Sequence, residues 1–141
     1  MMRSFVLSII FLLASASAYA QGAGGCSCCK APGVMAPPHG GIMEHIKNHQ
    51  YVELVADTGR IAVYLLDRDL ETLPIDHITM TGKLRLPRQQ KSPLSVEFKP
   101  QYGCFIANIN LDERVHRYAL ELTIKSNTDI QKVKFQVEPG A

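Results

Sequence analysis

The sequence predicts an all-β protein, an antiparallel β-sandwich of immunoglobulin-like type with about seven to eight strands. Two observations support this fold class. Apolar and polar residues alternate from Gly41 onward, and no segment shows the 3.6-residue period of a helix. Turn-forming stretches, such as Asp57-Thr58-Gly59 and Ser126-Asn127-Thr128-Asp129, interrupt the alternation at hairpin spacing. We therefore expect residues 39–141 to form the sandwich domain.

The alternating segments place the strands along the chain. Residues 41–46 and 49–56 are expected to form a first hairpin. The later strands are marked by alternating apolar side chains: Ile61, Val63 and Leu65; Ile78, Met80, Leu84 and Leu86; Leu94, Val96 and Phe98; Phe105, Ala107 and Ile109; Tyr118, Leu120, Leu122 and Ile124; Val133, Phe135 and Val137. Gly82 predicts a bulge or a close approach within its strand. Residues 99–103 are expected to form a turn.

The N-terminal 20 residues have the features of a secretory signal peptide. Arg3 gives a positive start, residues 5–14 are apolar, and Ala18-Tyr19-Ala20 is a cleavage site. A lipoprotein signal ending at Cys26 is the alternative, but no large aliphatic residue stands three positions before that cysteine. We therefore expect signal peptide 1–20, a periplasmic location, and a flexible arm at residues 21–38, which are rich in Gly, Ala and Pro.

Composition and motifs argue against several functional classes. The chain has 15 Lys and Arg against 13 Asp and Glu, a near-neutral balance that favours no nucleic-acid partner. The apolar segment of the signal is shorter than the ~20 residues of a spanning helix, so we expect no membrane insertion after cleavage. The acidic residues are scattered, and there is no nucleophile elbow, P-loop or zinc-protease helix. We expect no enzymatic activity.

The arm contains a cluster of cysteines. Cys26, Cys28 and Cys29 lie within four positions, and Cys104 is the only distant cysteine. A disulfide framework fits poorly, because a bridge between adjacent cysteines is strained. Thiolates in a glycine-flanked segment can instead surround a soft ion such as Cu(I). A single disulfide to Cys104 and a redox-active thiol pair remain as alternatives.

Strand parity predicts further candidate ligands on the first hairpin. If Ile42 and Ile46 face the core together with Val52 and Leu54, the odd-numbered side chains point outward. A three-residue loop at residues 47–49 would keep this register. The outward-facing candidates on this hairpin are Met43, His45, His49 and Glu53, and His39 lies just upstream, across Gly40-Gly41. Their imidazole, thioether and carboxylate groups are ligands for copper first and zinc second. The alternative is that they are ordinary solvent-facing side chains.

Three short segments carry a resemblance to a known family. They are Pro38-His39-Gly40-Gly41, Tyr51-Val52-Glu53-Leu54-Val55 and Ile61-Ala62-Val63-Tyr64-Leu65-Leu66-Asp67, followed by Pro74. This pattern resembles small periplasmic proteins linked to copper and other heavy metals. It is also similar to the accessory domain of periplasmic adaptor subunits of heavy-metal efflux pumps. The cysteine arm is not part of the pattern.

The resemblance implies a periplasmic β-sandwich in metal trafficking or resistance, with His39 as a ligand and Glu53 as the acidic position beside it. We therefore expect a copper-binding or zinc-binding protein that captures the ion with Cys, His and Met side chains. An efflux-pump component is the expected protein partner. The alternative function is a non-catalytic accessory subunit that docks on a cell-envelope complex.

Overall fold

The structure, a computed structural model, describes residues 35–87, 92–112 and 114–138. The signal peptide 1–20, most of the predicted arm, and Cys26, Cys28 and Cys29 lie outside the described residues. The strands are β1 (Ile42–Ile46), β2 (Gln50–Asp57), β3 (Arg60–Leu66), β4 (Thr79–Arg85), β5 (Leu94–Glu97), β6 (Lys99–Gln101), β7 (Cys104–Asn108), β8 (Tyr118–Lys125) and β9 (Ile130–Val137).

The strands form two sheets with antiparallel pairing throughout. The first sheet has the order β1-β2-β3-β7-β6, and the second has the order β5-β4-β8-β9. Strands β2-β3-β7-β6 and β4-β8-β9 match the two sheets of the immunoglobulin fold in their order. Strand β1 extends one sheet and β5 extends the other. The prediction of an immunoglobulin-like sandwich is confirmed.

The described residues contain one strand more than expected. Lys99–Gln101 pairs with β7, although residues 99–103 were predicted to be a turn. All three residues of β6 are exposed, so the segment lacks the alternation that marks a strand in sequence. Its central residue is Pro100, which is tolerated because β6 lies at the edge of its sheet.

The core fills the space between the two sheets. Its buried side chains come from the inward-facing positions that the alternation predicts, among them Val52 and Leu54 of β2 and Met80 of β4. A Cβ atom on Gly82 would lie 2.9 Å from Cε2 of Phe98. The predicted close approach at this glycine is therefore confirmed, with an aromatic ring packed over it. Among the described residues, no helix has the length and apolar character that crossing a membrane requires.

Candidate functional site

The first hairpin has the predicted register. Met43 lies opposite Glu53, and His45 lies opposite Tyr51. Residues 47–49 form the three-residue turn that parity requires, with Asn48 at φ 61° and His49 at φ 58° in left-handed conformations. These four strand residues therefore share the face of the first sheet that points away from the core.

Two adjacent glycines fold the chain back over β2 just before β1 begins. Gly40 has φ +76°, in the left-handed region, and its N–H donates to the Pro37 carbonyl at 3.2 Å. A Cβ on Gly41 would lie 2.3 Å from the carbonyl oxygen of Leu54, so a larger residue cannot occupy this position without moving backbone. The two glycines together carry His39 onto the outer face of the sheet.

Glu53 stabilises the chain reversal at His39, Gly40 and Gly41, here called the corner, by accepting hydrogen bonds from it. It is 0% exposed, yet both carboxylate oxygens have partners. Oε1 accepts the backbone N–H groups of His39 at 2.8 Å and Gly41 at 3.0 Å, and Oε2 lies 2.7 Å from His39 Nδ1. Hydrogen bonds to a charged acceptor are stronger than neutral ones and offset the cost of burying the carboxylate. Glu53 therefore positions His39, with each of its oxygens already engaged.

The His39 ring is fixed in orientation as well as in place. It stacks on the Tyr64 ring with centroids 3.8 Å apart and an angle of 7° between the planes. A carboxylate only accepts hydrogen bonds, so Nδ1 carries the proton in the contact with Glu53. In the neutral imidazole Nε2 then keeps its lone pair, and the side chain is 36% exposed. Metal-binding histidines commonly donate their other ring nitrogen to a carboxylate in this way.

Tyr64 connects the corner to Cys104. It pairs with Glu53 across β2 and β3. Burial raises the pKa of the Tyr64 hydroxyl, and the neighbouring Cys104 thiol and Glu53 carboxylate raise this pKa further. Cys104 is 4% exposed, and its thiol donates to the Gln101 carbonyl at 3.2 Å. Tyr64 is not among the residues that the sequence predicts for the site. Its signal was the alternation of β3, which turns Tyr64 outward when Val63 and Leu65 face the core.

The other two histidines lie further along the hairpin, around Tyr51. His45 is in edge-to-face contact with Tyr51 at 5.2 Å and with His49 at 6.3 Å between ring centroids. Two residues along a strand span about 6.8 Å, which separates His45 from the Met43–Glu53 pair. The candidates thus lie in two groups, one around His39 and one around His45. In the part of the chain that the structure describes, no three His, Cys, Asp or Glu side chains are arranged to hold a metal ion.

Comparisons with family models, with curated proteins and with solved structures found no match. The resemblance to heavy-metal-associated proteins therefore depends on the sequence segments alone. The structure supplies a physical reason for one part of that pattern. His39, Gly40, Gly41 and Glu53 form one hydrogen-bonded corner, so their joint presence has a structural basis.

Proposed function

We propose that this protein is a periplasmic metal-binding protein for heavy-metal trafficking or resistance, with copper as the first cargo and zinc as the second. The observation that carries the proposal is the His39 Nδ1 contact with Glu53 at 2.7 Å, which orients the ring and leaves Nε2 outside this contact on a side chain that is 36% exposed. Imidazole nitrogen is a ligand that suits both copper and zinc. An efflux-pump component is the proposed recipient of the ion.

A single imidazole does not hold an ion tightly, and in this proposal the cysteines of the arm capture the ion, while His39 with His45 holds it or relays it to a partner. Cys29 is only ten positions before His39 in the sequence. The thiolates of Cys26, Cys28 and Cys29 are ligands suited to Cu(I), and the imidazole of His39 suits copper and zinc.

The proposal gives different tasks to the other candidate residues. Glu53 orients the imidazole instead of binding the ion, because both of its oxygens accept hydrogen bonds. Met43 stands opposite Glu53 and is half-buried, which makes its thioether an auxiliary ligand at most. His45 and His49 form a separate exposed pair that binds more weakly.

Competition titration with a coloured Cu(I) chelator tests the proposal on mature protein under reducing conditions. We expect one tightly bound Cu(I) and a loss of about tenfold or more in affinity for His39→Gln. The triple Ser variant of Cys26, Cys28 and Cys29 should lose more. His45→Gln is the matched control, because this exposed imidazole makes no contact with Glu53, and its affinity should stay within about twofold.

The same titration with Zn(II) shows for which of the two metals the protein has the higher affinity. The proposal fails if mature protein binds no stoichiometric copper or zinc, or if the His39 and cysteine variants bind as the unmodified chain does. Recovery of a metal-free protein together with an envelope partner would instead favour the accessory-subunit alternative. Cell fractionation tests the periplasmic location separately.

A further inference from the structure

The outer faces of the two sheets differ in chemistry. On β4 of the second sheet, all four outward side chains are polar and exposed: Thr79, Thr81, Lys83 and Arg85. This is the usual pattern of a sheet whose outer face meets water. On the first sheet, the neighbouring strands β2, β3 and β7 instead turn apolar side chains outward: Val55, Ala62 and Ile106. An apolar outer face of this kind indicates contact with another surface.

These three side chains, here called the outer strip, lie in register across the sheet. Val55 is opposite Ala62, and Ala62 is opposite Ile106. Ile106 is only 8% exposed, whereas Val55 and Ala62 are half-buried and keep part of their surface open. Ala62 is two positions from Tyr64 on the same face, about 6.8 Å along the strand. The outer strip therefore borders the tyrosine on which His39 stacks.

Two cations flank the outer strip. Arg60 precedes Ala62 by two positions, and Lys99 lies opposite Ile106. Both are exposed, and within residues 35–87, 92–112 and 114–138 neither takes part in an ion pair. The rim also carries one exposed carboxylate, Asp57, whose Oδ1 accepts the Thr58 N–H at 2.7 Å. The rim thus has an excess of positive charge.

This charge favours an acidic partner over the other possible occupants of the face. The arm, residues 21–38, contains one charged side chain, Lys30, which is also a cation. A second copy of the chain docked through the same face would bring the cations of both copies into one interface, which is unfavourable. A protein with an apolar patch surrounded by carboxylates complements both the outer strip and its rim.

We propose that the outer strip is the docking surface for a metal-accepting protein whose apolar patch is rimmed by Asp or Glu, and which takes the ion from His39. The inference rests on the metal function proposed above and specifies the chemistry of the recipient. Opposite charges increase the rate of encounter, and the apolar contact then holds the recipient beside the exposed edge of the imidazole.

Two synthetic peptides are the probes for the recipient. They share the same Met and Leu residues, and one carries Asp where the other carries Lys. Each is titrated without metal into isotope-labelled mature protein and followed by amide NMR. We expect the Asp peptide to shift the signals of Val55, Ala62 and Lys99 and, at low ionic strength, to bind about tenfold more tightly than the Lys peptide. Equal affinities, or shifts located on the second sheet, would overturn the proposal.

Charge-neutralising variants test the location of the attraction. The double substitution Arg60→Gln with Lys99→Gln should remove most of the preference for the Asp peptide. Arg85→Gln with Lys132→Gln is the matched control, because it removes the same charges from the outer face of the second sheet and should leave the preference in place. All four side chains are exposed, so both variants should fold. An equal loss in the two variants would show that net charge attracts the peptide, and would contradict the docking surface.

Copper transfer separates this inference from the metal function. Mature protein loaded with Cu(I) should lose its ion to the Asp peptide about tenfold faster than to the Lys peptide at low ionic strength, and high salt should reduce the difference. If the protein binds no copper, the metal function is contradicted, and the NMR titration still decides whether the outer strip binds the acidic probe. If the protein binds copper but transfers it to both peptides at equal rates, the metal function stands and the docking surface is wrong.

Discussion

Glu53 is the residue on which the candidate site depends most. It is fully buried, and its carboxylate satisfies three donors that belong to His39 and Gly41. Removing one partner from a buried charged group leaves the others unpaired, which costs more than the original contact contributes. A carboxylate at this position therefore stabilises the fold and orients the imidazole at the same time.

Glu53→Gln should lower the free energy of unfolding by about 2–3 kcal/mol, because an amide offers one acceptor oxygen and places a donor against His39 or Gly41. Urea denaturation followed by circular dichroism measures the change. Glu44→Gln on the neighbouring strand is the control; Glu44 is exposed, and its substitution should change the stability by less than about 0.5 kcal/mol. Equal effects from the two variants would contradict the structural task of Glu53.

At the scale of elements, the two glycines of the corner have different physical tasks. Gly40 has open space where a Cβ would be added but a left-handed φ of +76°. Gly41 has no such φ requirement but lies against the Leu54 carbonyl, with a Cβ distance of 2.3 Å. One glycine therefore permits the reversal of the chain, and the other permits its close packing on β2.

Gly40→Ala should destabilise the protein by about 1–2 kcal/mol through backbone strain, with the His39–Glu53 contact retained. Gly41→Ala should cost more and should displace the corner, because the clash is with backbone that cannot rotate away. Thermal unfolding ranks the two variants, and the NMR signals of the His39 ring report whether the hydrogen bond to Glu53 survives. A larger loss for Gly40→Ala than for Gly41→Ala would contradict this division.

Strands whose side chains alternate can be predicted from the sequence alone. Contacts that depend on a reversal of the chain cannot. The register of the first hairpin follows from period two and a three-residue loop, so Met43 opposite Glu53 was predictable. The strand at Lys99–Gln101 was not, because its residues are all exposed. The His39–Tyr64 stack requires the reversal at Gly40, and no local pattern specifies where such a reversal places a ring.

At the scale of the whole molecule, the sandwich buries Tyr118, a titratable side chain whose ionisation opposes folding. Tyr118 begins β8 and is 1% exposed. Immunoglobulin folds often place a tyrosine near the start of the corresponding strand, with its hydroxyl bonded to backbone upstream. Here the Tyr118 hydroxyl has no hydrogen-bond partner among the described residues. Burial raises its pKa from 10.0 to about 12.

This pKa makes the stability of the whole domain fall at alkaline pH. Between pH 10 and about 12 the unfolded chain loses the Tyr118 proton while the folded chain keeps it, so the free energy of unfolding decreases as pH rises. The slope from this residue is at most about 1.4 kcal/mol per pH unit. Below pH 10 both states keep the proton and Tyr118 causes no pH dependence. Tyr64, whose pKa is also raised, acts in the same direction.

Tyr118→Phe should leave stability at pH 8 unchanged or slightly higher, because the hydroxyl that it removes is buried and unpaired among the described residues. From pH 10 to 11.5 the variant should become progressively more stable than the unmodified protein, as it no longer carries this titrating group. Urea midpoints across that range measure the difference. Tyr102→Phe is the matched control: Tyr102 is 90% exposed, so its substitution should give a difference that stays constant with pH. A constant difference for Tyr118→Phe as well would show that the Tyr118 hydroxyl titrates alike in the folded and unfolded chains, and the alkaline loss of stability would then have to come from other groups.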